Sequence, residues 1–148
     1  MDKGEKSHFV EEVMQKNVIS IDSISSVKDA AIMMMDTSVG CLVVTNGKTP
    51  IGMVTERDLA RRVISRDLPS NIPISEVMSS PLIKGKQDYT LWEIAQLMKT
   101  NSIHRIPIEK DDQLVGILTS TDLVKTFCLA SGNEICKITE NILYRISN

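Results

Sequence analysis

Apolar positions along this chain switch between two spacings, and the switch occurs twice. Val18-Ile19-Ser20-Ile21 is a short extended run. Val27, Ala30, Ala31, Met34 and Met35 then recur at i, i+3, i+4, i+7 and i+8, the stripe of an amphipathic helix. Cys41-Leu42-Val43-Val44 is a continuous apolar run, as in a buried strand. Asn46-Gly47 is the strongest short hairpin signal, and Ile51-Gly52-Met53-Val54 reads as the returning strand. A second helix is expected to start at Thr55.

A shift of 64 residues lays the second half on the first without a gap. Glu12-Val13-Met14 falls on Glu76-Val77-Met78, and Ile19 on Ile83. Ala31, Met34 and Ser38 fall on Ala95, Met98 and Ser102. Gly52, Thr55, Asp58 and Leu59 fall on Gly116, Thr119, Asp122 and Leu123. Leu91, Ile94, Ala95 and Met98 repeat the helical stripe, the turn becomes Lys110-Asp111-Asp112, and a last helix is expected from Thr119. Two copies are too few for a solenoid. The expected fold is α/β (α+β): two pseudo-symmetric repeats, each β-α-β-β-α, packed through their sheets so that each covers the other's apolar face.

Residues 1–9 read as a flexible start, 10–66 as the first repeat and 67–73 as a linker holding Pro69, Asn71 and Pro73. Residues 74–130 read as the second repeat. In the tail, 131–148, Gly132 ends the preceding helix and Ile135, Ile138 and Ile142 stand near helical spacing.

Composition narrows the classes. Of 148 residues, 42% are hydrophobic and 24% charged, an ordinary soluble balance that supports a core without staples. A net charge of −2 gives no overall attraction for nucleic acid, and Arg57, Arg61 and Arg62 beside Glu56 and Asp58 make a weak basic patch. Cys41, Cys128 and Cys136 lack framework or C-x-x-C spacing, so they read as reduced thiols of a cytoplasmic protein, with neither disulfides nor zinc. The polar start and the absence of an 18-residue apolar window predict neither signal peptide nor membrane span. With two histidines in the chain, His8 and His104, no His-rich metal site is expected, and no nucleophilic triad can be assembled.

One pattern carries chemistry. Gly52-Met53-Val54-Thr55-Glu56-Arg57-Asp58 and Gly116-Ile117-Leu118-Thr119-Ser120-Thr121-Asp122 occupy the same place in each repeat. Thr-x-x-Asp at a strand-to-helix junction is close to a capping box, and capping alone justifies both residues. The functional reading starts from the same place. A helix N-terminus favours phosphate. The glycine removes a side chain, so a flat ring could approach the strand. A carboxylate accepts hydrogen bonds from two adjacent hydroxyls, as on a ribose. Together these describe a nucleoside phosphate.

The repeat order, the length of each copy and the doubled Gly-h-h-Thr-x-x-Asp signature resemble CBS domains, which occur in tandem as Bateman modules. The resemblance covers about residues 10–130. It implies a two-fold pair with ligand sites between the halves, in which Asp58 and Asp122 each hold a ribose and Thr55 and Thr119 bond phosphate or ribose. Arg57 and Thr121 would reach phosphate. The Asp58 site would be completed by Leu82, Ile83, His104, Arg105 and Pro107, and the Asp122 site by Val18, Ile19, Gly40 and Cys41. His104 has an alternative as a satisfied strand histidine, and Arg105 as a solvated edge charge.

The resemblance thus implies a non-catalytic sensor of AMP, ADP or ATP, with Mg2+ able to accompany ATP, no catalytic cofactor and no metal site of its own. The bound state would pass to a protein partner, and Met34, Met35 and Met98 suggest a homodimer. Met33-Met34-Met35 reads as core and dimer packing, and Trp92 as an interface residue. Arg57, His104 and Arg105 give the Asp58 site the greater expected affinity for nucleotide. The alternatives are an S-adenosylmethionine module, a ligand-free assembly module and a fragment related to inosine-monophosphate dehydrogenase.

Overall fold

The structure is a computed structural model, and it describes residues 9–131. The expected tail beyond 131, Cys136 and the start before Phe9 lie outside the described residues. In chain order the elements are α1 (Val10–Val13), β1 (Ser20–Asp22), α2 (Val27–Thr37), β2 (Cys41–Asn46), β3 (Thr49–Thr55) and α3 (Glu56–Asp58). A π turn over Leu59–Val63 and a 3-10 turn over Ile64–Arg66 prolong α3. After a 3-10 turn at Ile74–Glu76 come β4 (Gly85–Lys86), α4 (Leu91–Asn101), β5 (Arg105–Lys110), β6 (Gln113–Thr119) and α5 (Ser120–Ser131). No helix among the described residues is long and apolar enough to cross a membrane.

The β-α-β-β-α order read from the sequence is present twice. Each copy makes a three-stranded mixed sheet, ordered β1-β2-β3 and β4-β5-β6. The first pair in each is parallel across its helix, and the second is an antiparallel hairpin with a bulge at Val44/Thr45 or Ile108/Glu109. Parallel strands need such a crossover, whereas the hairpin needs two loop residues. Asn46 turns out to be the last residue of β2, and the loop is Gly47-Lys48. Gly47 takes φ +59°, the positive first position of a type II′ turn. In the other hairpin Asp111 and Asp112 both have positive φ, as a type I′ turn requires.

Compact units and sequence repeats are offset. One unit is Val18–Ile83, and the other joins the described residues up to Asn17 to those from Lys84 onward. Each repeat's opening segment therefore packs in the unit that carries the other repeat's sheet. Ile74 and Val77 are buried with Ile21, Val27, Ala30, Met34, Leu42, Val44 and Val54. Val10 and Met14 are buried with Leu91, Ile94, Met98, Ile106, Ile108 and Leu118. The helical stripe is narrower than its spacing suggests: Val27, Ala30 and Met34 of α2 are buried, while Ala31 is exposed and Met35 is 71% exposed.

Two glycines seat these segments. Met53 and Ser79 exchange both backbone hydrogen bonds at the edge of β3 (3.0 and 2.8 Å), and Ile117 and Gln15 do the same at β6 (2.9 Å each). A Cβ on Gly52 would lie 2.7 Å from Met78 Sδ and 2.8 Å from Ser79 O. A Cβ on Gly116 would lie 2.5 Å from Met14 Sδ and 3.0 Å from Gln15 O. This corrects the expectation that the glycine opens the strand to a flat ring: a methionine of the opening segment already fills the space.

The connector is likewise ordered onto α2. Val27 and Lys28 N–H donate to Ile72 O (3.0 Å) and Ser70 O (2.9 Å), so carbonyls of the connector satisfy the first amides of that helix. Ser26 and Asp29 form a capping box there, and Thr90 and Glu93 form another at α4.

Gly52→Ala and Gly116→Ala should each cost about 1–3 kcal/mol, the usual range for an overpacked core, measurable by urea unfolding. Gly47→Ala meets no neighbour within 4 Å and tests backbone strain alone. The Ser26 hydroxyl, then its N–H, hold Asp29 below the ordinary carboxylate range; the Thr90 N–H, then its hydroxyl, do so for Glu93. A lowered folded-state value means the contribution is complete above the ordinary range and is lost as pH falls through the folded value. Acid unfolding should therefore show a smaller pH-dependent loss in Asp29→Asn and Glu93→Gln than in the parent.

Candidate functional site

In the Val18–Ile83 unit, β3 delivers Thr55 to the start of α3. Thr55 N–H and its hydroxyl both donate to Asp58 Oδ2 at 2.9 Å, and Asp58 N–H donates back to Thr55 Oγ1 at 3.2 Å. Glu56 N–H donates to Gly40 O at 3.1 Å, and Cys41 pairs with Thr55 across the sheet. Gly40 and Cys41 thus border Thr55 inside one unit. Arg57 N–H meets no backbone acceptor among the described residues, and its side chain is exposed. Val43 N–H donates to Ile19 O at 3.0 Å, and Ile19 packs on the core. Val18, Leu82 and Ile83 are half-buried at the two ends of the unit.

The other oxygen, Asp58 Oδ1, lies 3.5 Å from Arg62 Nε. The Arg62 guanidinium donates to Val77 O (2.8 Å) and Met78 O (2.9 Å) from Nη1, and to Ser79 Oγ (3.1 Å) from Nη2. Arg62 stands on the π turn, a widened geometry that occurs often at functional positions. It ties the opening segment of the second repeat to the helix that carries Asp58.

The other unit repeats the box. Thr119 N–H and hydroxyl donate to Asp122 Oδ2 at 2.9 and 2.8 Å, and Asp122 N–H donates to Thr119 Oγ1 at 3.2 Å. Ser120 N–H donates to His104 O at 2.9 Å, and Arg105 pairs with Thr119. His104 is exposed, Arg105 and Thr121 are half-buried, and Pro107 is buried within β5 opposite Ile117. Thr121 N–H meets no backbone acceptor among the described residues. Gln15 Nε2 stands 3.3 Å from both oxygens of Asp122. At the position equivalent to Arg62, Thr126 turns its hydroxyl onto Asp122 O (2.9 Å).

The residues grouped from the sequence as one site divide over the two units: Thr55, Arg57, Asp58, Leu82 and Ile83 in one, and His104, Arg105 and Pro107 in the other. Val18, Ile19, Gly40 and Cys41 divide likewise from Thr119, Thr121 and Asp122. Among the described residues no three His, Cys, Asp or Glu side chains gather as a metal site would need.

All four main helices start with the same box, so capping by itself does not mark a site. Burial separates the boxes. Asp29 and Glu93 are exposed, whereas the Asp58 side chain keeps 15% of its exposure and Asp122 is half-buried. The sequence placed Arg62 only in a weak basic patch and did not single out Gln15, although a signal was present. By the 64-residue shift Arg62 corresponds to Thr126 and Gln15 to Ser79, so each unit keeps one long polar side chain where the other has a hydroxyl.

The CBS domain family model matches this chain twice, over residues 10–65 and 74–128. The CBS domain-containing protein YhcV of Bacillus subtilis is 33% identical over 114 residues, 77% of this chain and 81% of that protein. A crystal structure of an uncharacterized conserved protein from Pyrococcus horikoshii superposes with a TM-score of 0.77 at 32% identity, covering 83% of this chain and 94% of that one. The CBS domain pair of protein MJ0100, solved with 5-methylthioadenosine and S-adenosyl-L-methionine, superposes with a TM-score of 0.76 at 23% identity, over 84% and 98% of the chains.

Arg62→Ala should destabilise the Val18–Ile83 unit by about 1–3 kcal/mol, since it removes charge-assisted bonds to two carbonyls. Thr126→Ala should cost less. Urea unfolding of the two variants checks the order.

Proposed function

The chain belongs to the CBS-domain family, and from that premise we propose that this regulatory pair is a non-catalytic sensor of AMP, ADP or ATP that grips ribose with Asp58 and Asp122. One observation carries the reading: each carboxylate divides its labour. Oδ2 is locked into the cap by a Thr N–H and hydroxyl, while Oδ1 lies outside the cap, with its nearest described partner at 3.5 Å for Asp58 and 3.3 Å for Asp122. An ionised oxygen held in place by its twin is a ready acceptor for a vicinal diol. The adjoining Arg57 and Thr121 N–H groups, without backbone acceptors among the described residues, lie at a helix start, where an anion is favoured.

Arg57 and Arg62 supply two guanidinium donors near Asp58, against the carboxylates of Asp58 and Glu56, and the donors favour a phosphorylated ligand there. S-adenosylmethionine shares the adenosine half and is the second reading, since the MJ0100 pair holds it. Its positive charge is opposed by Arg57 and Arg62 near Asp58. A ligand that binds two arrangements of the module unequally shifts their balance, with couplings typically of about 1–3 kcal/mol, and a partner protein reads the result. A second copy of the chain covering Ile32 and Met35, both exposed on α2, belongs to the same proposal.

Isothermal titration with AMP, ATP and S-adenosylmethionine tests this. Asp58→Asn keeps an acceptor for the cap and replaces the free acceptor with a donor. It should weaken AMP binding by about 10-fold or more, the worth of a hydrogen bond to a charged group, and by more than Asp122→Asn does. Melting of the unliganded protein should change little. AMP affinity that survives both substitutions overturns the proposal.

A further inference from the structure

Both opening segments are tied to the neighbouring capping carboxylate, but the tie is built from opposite ends. In the Val18–Ile83 unit it starts on the helix: Arg62 reaches across to Val77 O, Met78 O and Ser79 Oγ and passes Asp58 Oδ1 on the way. In the other unit it starts on the segment: Gln15 reaches back to Asp122 with Nε2 at 3.3 Å from each oxygen. Ser79 and Gln15 are equivalent by the 64-residue shift, as are Arg62 and Thr126.

The ends differ in what else they hold. Arg62 has three acceptors besides Asp58, so a ligand that takes Asp58 Oδ1 leaves the guanidinium and the segment in place. The described partners of the Gln15 amide are the two Asp122 oxygens alone. Its NH2 group lies within reach of Oδ1, the oxygen left outside the cap and open to a vicinal diol, and offers the same donor chemistry.

We propose that Gln15 is a built-in competitor for the Asp122 site, its side-chain amide occupying the place of the ribose diol until a ligand displaces it. This rests on the assignment of Asp122 to ribose. At Asp58 the neighbouring donor is Arg62, which Val77 O, Met78 O and Ser79 Oγ keep in place, so no side chain is released there. The chain thereby weights its two carboxylates unequally, and occupancy of Asp122 alone releases a side chain of the N-terminal segment.

AMP titration in the full chain carrying Asp58→Asn isolates the Asp122 site. Adding Gln15→Ala should tighten AMP binding by about 2- to 5-fold, the worth of one exposed hydrogen bond no longer in competition. In the parent, the Gln15 side-chain NH2 resonances should move as AMP saturates the Asp122 site. Unchanged or weaker AMP binding in the Gln15→Ala protein overturns the competitor role, the weaker result making Gln15 a ligand contact. If adding Asp122→Asn to the Asp58→Asn chain leaves its AMP binding intact, the ribose assignment fails and the competitor role falls with it.

Discussion

The structure turns on the close approach of a methionine to a glycine, made once in each unit. Met78 Sδ lies 2.7 Å from where a Cβ of Gly52 would be, and Met14 Sδ 2.5 Å from where one of Gly116 would be, too close for either side chain. The contact lets Ser79 and Gln15 pair with the free edges of β3 and β6. It covers an edge that would otherwise present unpaired backbone groups. It also brings Ile74 and Val77, or Val10 and Met14, into a core whose sheet belongs to the other repeat. A repeat taken alone therefore lacks both the edge partner and the apolar cover of its own sheet, so two copies on one chain fold as a reciprocal exchange.

That arrangement fixes the surroundings of the two carboxylates. The opening segment ends beside the start of α3 or α5, where the strand hands Thr55 or Thr119 to the helix. A cap in open solvent, as at Asp29, spends its carboxylate on the helix alone. Beside a packed segment the same box becomes half-buried, with one oxygen kept by the fold and the other turned toward a neighbouring donor. The capping role and the proposed binding role are thus not rivals: a carboxylate immobilised by its cap would meet a diol already in place, which lowers the ordering cost of binding.

The shift of 64 residues made the doubled fold legible, and the helix stripes and apolar runs gave the elements. Boundaries moved where local signals compete. Asn46-Gly47 points to a turn centred on both residues, yet pairing of Asn46 with Thr49 extends β2 and moves the loop to Gly47-Lys48. Ala31 and Met35 extend the apolar stripe of α2, but the sheet beneath reaches only as far as Val27, Ala30 and Met34. The glycine of the signature was visible, and its use was misjudged. A missing side chain reads equally well as room for a ligand or room for a neighbour 26 residues along, and spacing cannot distinguish them.

By itself the sequence determined two β-α-β-β-α copies, the helix starts at Thr55 and Thr119, and a carboxylate three residues into each helix. These are set by local periodicity and by hydrogen bonds spanning three residues. The tertiary structure alone decided which opening segment covers which sheet and which caps lie half-buried. It alone decided that Arg62 and Gln15 stand beside Asp58 and Asp122. Those contacts join residues far apart in the chain, from Arg62 to Val77 and from Gln15 to Asp122, and no local pattern encodes a meeting that depends on where two separate pieces of backbone are packed.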